Sequence, residues 1–122
     1  MDLSPRELEQ ELLRLKNELG QAREKLNYVT KKYLEATKAY KKKYAQFFIK
    51  AKLDDNYKTV KEAEIFAQKE TAEEEAMYKA TEQMVLNERK AVDVLLAQVE
   101  ITRSLYARAH EEQKQYGRRE GF

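Results

Sequence analysis

The chain has no cysteine, no tryptophan, one proline and three glycines in 122 residues, and its only histidine is His110. Without cysteine there is neither a disulfide framework nor thiolate chemistry. The scarcity of proline and glycine removes the usual punctuation of short elements and tight turns. No apolar run approaches the roughly 18 residues that a membrane-spanning helix needs. The N-terminus, Met1-Asp2-Leu3-Ser4-Pro5, lacks the basic and apolar regions of a signal peptide. These absences lead us to expect a cytoplasmic protein without membrane association.

Catalytic chemistry is equally sparse. Serine occurs only as Ser4 and Ser104, so no set of nucleophile, base and orienting group can be assembled. No glycine-rich loop is present to cradle phosphate. His110 is one and two positions from Glu111 and Glu112, which therefore point away from its side of a helix. It reads as a favourable cation near a helix C-terminus. A carboxylate metal site in a helical bundle pairs glutamates with a Glu-x-x-His motif, which this chain lacks. We therefore expect no enzyme activity, no cofactor and no metal.

What the chain does have is charge and periodicity. Asp, Glu, Lys and Arg make up 38% of it, a composition typical of long helices and coiled coils. Leu8, Leu12, Leu15, Leu19, Ala22, Leu26, Val29, Tyr33, Ala36, Tyr40, Lys43 and Phe47 follow a strict 4-3 alternation. That spacing places one side chain per turn along one edge of a helix, and only Lys43 is charged. Ser4, Pro5 and Glu7 form a capping box with proline at the first helical position, so the spacing predicts a helix over 5–52. Gly20 lies inside it, at a cost of ~1 kcal/mol relative to alanine.

Asp54-Asp55-Asn56 is the strongest break, because all three side chains compete for backbone hydrogen bonds. Thr59 and Glu62 then predict a cap for a short helix over 60–69, and Thr71 and Glu74 a cap for a long helix over 72–116. Gly117 serves as its stop and 117–122 as a tail. A competing reading keeps 60–116 as one helix. The last stretch carries a stripe of Met77, Ala80, Met84, Ala91, Leu95, Val99, Thr102, Leu105 and Ala109, flanked by Val85, Val92, Leu96 and Tyr106. The expected fold is all-α: a single domain built as a long antiparallel helical hairpin, coiled-coil-like, with a short connector helix. The last helix is apolar over more than one seam needs, so the hairpin is expected to oligomerise into a bundle. A dimer is favoured, with Leu95 and Val99 as self-association residues.

The +2 net charge hides an asymmetry. Residues 23–52 hold ten basic and two acidic side chains. Lys38, Lys41 and Lys42 are the candidate contacts to nucleic acid: lysines can neutralise phosphates, and interleaved tyrosines can stack on unpaired bases. The bland reading is internal pairing. If residue 52 meets residue 72 in the hairpin, Lys50 and Lys52 lie near Glu73–Glu75, and Lys41–Lys43 lie near Glu82.

The long charged helix, Thr59-Val60-Lys61-Glu62-Ala63-Glu64, the acidic Thr71-Ala72-Glu73-Glu74-Glu75 and the final long helix together resemble a class of small uncharacterised bacteriophage proteins encoded near replication and recombination genes. The resemblance covers most of the chain and carries over no functional residue. It implies a partner in phage DNA metabolism, in the host cytoplasm. Two functions therefore stand as expectations. One is a non-enzymatic helical adaptor that self-associates and presents a surface to another protein. The other is a single-stranded nucleic-acid-binding accessory factor.

Overall fold

A computed structural model describes residues 3–121, with side chains to residue 115. It is 91% helical. It contains three helices, α1 (Pro5–Lys52), α2 (Val60–Glu70) and α3 (Ala72–Gly121), and no strand among the described residues.

The local chemistry explains most of the boundaries. Ser4 Oγ accepts from the Glu7 N–H at 3.2 Å and starts α1. Near its end, the Asp54 carboxylate accepts from the Asn56 N–H at 3.0 Å, an Asx turn that takes the chain out of the helix. Thr59 Oγ1 accepts from the Glu62 N–H at 3.1 Å, and the Glu62 carboxylate accepts from the Lys58 N–H at 2.9 Å. These two reciprocal bonds close the N-terminal end of α2.

Two boundaries differ from expectation. Thr71 does not cap α3 through its side chain. Its hydroxyl is fully buried and donates back to the Ala67 carbonyl at 2.6 Å, while the Glu74 carboxylate pairs with Lys43. The break between α2 and α3 is thus one residue wide, and the i to i−4 bonds Thr71 N–H to Ala67 O and Glu75 N–H to Thr71 O pass through it. Gly117 does not end α3, whose backbone stays helical to Gly121. The expected tail is therefore helical through residue 121, and Phe122 lies outside the described residues.

The contacts divide the chain into two units. One joins α1 up to Lys25 with α3 from Glu88 onward; the other spans Leu26–Asn87. In the first unit, Leu8, Leu15, Leu19, Val92, Val99 and Thr102 are buried, and Lys25 pairs with Glu88 at 3.2 Å. In the second, Val29, Ala51, Ala63, Ala67, Thr71, Thr81 and Val85 are buried. There α1 and α3 run antiparallel: the Tyr33 hydroxyl donates to Glu82 at 3.4 Å and Lys43 meets Glu74 at 2.5 Å. Relative to the expected register, α3 is displaced along α1 by roughly two turns. The cause is α2, which folds back on the end of α1. Phe66 packs edge-on against Phe47 at 6.0 Å and against Tyr57 at 4.9 Å. With the last turns of α1 so occupied, α3 first reaches α1 near Lys43.

The α1 stripe is buried or half-buried at every position except Lys43. The α3 seam differs from the expected one in its first half and at Leu105. The side chains turned inward are Tyr78, Thr81, Val85, Glu88 and Val92, then Leu95, Val99, Thr102, Tyr106 and Ala109. Met77, Ala80, Met84, Ala91 and Leu105, expected in the seam, are exposed. Threonine is tolerated inside because its hydroxyl finds a backbone acceptor: Thr81 donates to the Met77 carbonyl at 2.8 Å.

Candidate functional site

Apolar residues and lysines left on the surface after both seams are filled define the candidate site. In the unit that contains the C-terminal half of α3, Ala91, Val94, Gln98, Ile101 and Leu105 form a second row with 3-4 spacing, one residue out of step with the buried seam. One residue is 100° around a helix, so this row faces a direction distinct from α1. Val94 is 57% exposed, Ile101 61% and Leu105 44%. Beside Ile101 and Gln98 a small crevice opens toward Glu11 and Arg14 of α1. Arg14 is held between Glu11 and Glu18. Its guanidinium keeps the Glu11 carboxyl below the usual carboxylate range.

The self-association residues expected from sequence sit elsewhere. Val99 is buried at 4% exposure and Leu95 is half-buried. Both lie in the seam with α1, so they offer little surface to a second chain. The wide apolar face inferred from sequence resolves into two rows, and only the outer one is open.

In the other unit, Lys38, Lys41 and Lys42 are all exposed. They lie on the side of α1 opposite the seam, with Lys31 one heptad before Lys38. The ion pairs found among the described residues use Lys43 and Lys25 from the basic segment, not these three. The Lys43–Glu74 hydrogen bond raises the lysine pKa and lowers the glutamate pKa. The aromatic side chains of the segment are mostly spoken for. Tyr33 and Tyr40 stack on Tyr78, each at 5.6 Å, and Tyr44 stacks on Phe48 at 6.4 Å. The Tyr78 phenol is pushed up to about 12, first by the Tyr33 hydroxyl and then by the negative charge of Glu82. Tyr28 is exposed at 61% with the Lys32 ammonium 5.4 Å from its ring centre.

Sequence reasoning placed no site in the connector. Tyr57, Ile65, Phe66 and Lys69 line an open groove of about 610 Å³ there, and Leu53 beside it is 82% exposed. The legible signal was apolar residues flanking a turn-forming triplet. His110 stacks on Tyr106 at 6.0 Å. Among the described residues no cluster of three or more His, Cys, Asp or Glu side chains is placed to hold a metal, and no helix is long and apolar enough to cross a membrane. No protein-family model, curated protein or solved structure matches this chain.

Proposed function

We propose that this protein is a non-enzymatic helical adaptor that self-associates, with a dimer as its working form, and that it presents the remaining helical faces to another protein. The observation that carries this reading is the open apolar row Val94, Ile101 and Leu105 on a helix whose other row is already filled. Exposed apolar side chains repeating at helical spacing, here interrupted by Gln98 alone, mark a contact site. Sedimentation equilibrium at tens of micromolar tests it. A species of twice 14.5 kDa is expected; a monomer at all concentrations refutes it.

A second reading has its own observation. Lys38, Lys41 and Lys42 project from the outer side of α1. As point charges without arginine forks they suit phosphate rather than base edges. On this reading the protein is an accessory factor for single-stranded nucleic acid, the role that the likeness to phage proteins favours. Binding of a labelled oligonucleotide should fall steeply with salt and vanish when the three lysines become glutamate, with helicity unchanged. No binding at low salt removes this reading.

A further inference from the structure

We infer that the second copy docks on the outer row of α3 itself, antiparallel and two-fold symmetric, with Gln98 and Ile101 flanking the axis; this rests on the self-association reading and gives it a surface and an orientation. A two-fold interface must be self-complementary: whatever lies on one side of the axis meets what lies on the other. The outer row satisfies that requirement about a point near residue 100. Two α3 helices laid antiparallel there set Ile101 beside Gln98 of the second copy, twice by symmetry, and leave the two Ile101 side chains within one turn of each other across the axis. They also bring Val94 against Leu105 of the second copy, twice by symmetry. Val94, Ile101 and Leu105 are exposed in the single chain, and so is Gln98.

The side chains bordering this row repeat the pattern independently. Lys90, Ala97, Ser104 and Glu111 are spaced by seven along one line of α3, next to the outer row, and all are exposed. About the same axis, Lys90 meets Glu111 of the second copy, and Ala97 meets Ser104. The outer pairs are opposite in charge, and the inner pairs are small enough to let two backbones approach. A parallel arrangement would place Lys90 beside Lys90 and Glu111 beside Glu111, which repel. Like charges at both ends therefore select the antiparallel orientation.

The absence of cysteine makes single-cysteine crosslinking clean. Ile101→Cys should form a disulfide-linked dimer on mild oxidation. Val94→Cys should not, because in the antiparallel dimer its two copies lie ~20 Å apart along the axis, beyond the ~7 Å reach of a disulfide. Ile101→Asp should sediment as a monomer with unchanged circular dichroism. Lys90→Glu and Glu111→Lys should each weaken the dimer several-fold, and the double variant should restore it. A wild-type monomer at tens of micromolar overturns both this inference and the self-association reading. A wild-type dimer that survives Ile101→Asp, or that crosslinks through Val94→Cys and not Ile101→Cys, overturns this interface and leaves self-association standing.

Discussion

Neighbouring residues on these helices differ sharply in what a substitution does. Leu15 is 2% exposed, in the unit that also buries Val99 and Thr102. Truncating such a side chain removes its transfer free energy and leaves a cavity. Leu15→Ala is expected to cost about 2–5 kcal/mol, read from urea denaturation. Gly20 lies five residues on, exposed, with nothing within 4 Å of where a Cβ would sit and no positive φ. Gly20→Ala should therefore stabilise the protein, by about 1 kcal/mol, since alanine restricts the unfolded chain and meets no neighbour. An unchanged or lower denaturation midpoint would show that the glycine serves some contact outside the single chain. Thr71 makes the opposite point: a polar residue is fully buried because its hydroxyl closes the last turn of α2.

Helix existence was legible because capping residues and apolar spacing agree from Ser4 to Lys52 and again from Thr59 onward. Two further features were not legible, for one reason each. Register escapes a heptad reading because a slip of seven residues returns the same edge to the partner. The aromatic fold-back of Phe47, Tyr57 and Phe66, the stacking of Tyr33 and Tyr40 on Tyr78 and the Lys43–Glu74 pair fix it, and those contacts are tertiary. The phase of the α3 seam escaped because apolar residues occur in two adjacent rows, and counting cannot say which faces α1. Methionines drew the expected seam to Met77 and Met84, whereas tyrosine, threonine and glutamate at 78, 81 and 88 occupy the real one. For the candidate site, Lys38, Lys41 and Lys42 were legible as an exposed outer side of α1, but the outer row of α3 was not separable from its core. The observed register makes its own prediction. Lys43→Glu should lower the melting temperature by leaving Glu74 beside a like charge, and adding Glu74→Lys should recover it. In the expected register those two positions would be too far apart to couple.

At the level of the whole molecule, contact distance along the chain is graded. Phe47 and Phe66 meet across a short connector, and Lys43 and Glu74 are 31 residues apart. Tyr33 and Glu82 are 49 apart, and Lys25 meets Glu88 beyond that. Each longer closure costs more chain entropy unless the shorter one has already formed. Folding is therefore expected to begin at the connector and proceed toward the chain ends. Phe66→Leu should slow refolding, while Val99→Ala should mainly speed unfolding, as stopped-flow chevrons would show. Equal effects of both on the folding limb would rule out this order.

The Tyr33–Tyr78–Tyr40 stack makes the protein its own optical gauge. With eight tyrosines and no tryptophan, its near-ultraviolet spectrum belongs to phenols, and Tyr78 is the phenol whose proton is held to about 12. An unfolded tyrosine ionises near 10. The folded state therefore retains a proton that the unfolded state has lost, and stability should fall as the pH climbs from about 10 toward 12. Lys43, raised by Glu74, adds to the same decline. Phenolate absorbance during an alkaline titration should show Tyr78 as the last phenol to ionise in the native chain, later than Tyr44, which burial also pushes up. That phenol should be absent from Tyr78→Phe, whose stability should also fall less steeply over the same range. Light absorbed by these rings thus reports whether α1 and α3 remain together at Tyr78, without any attached probe.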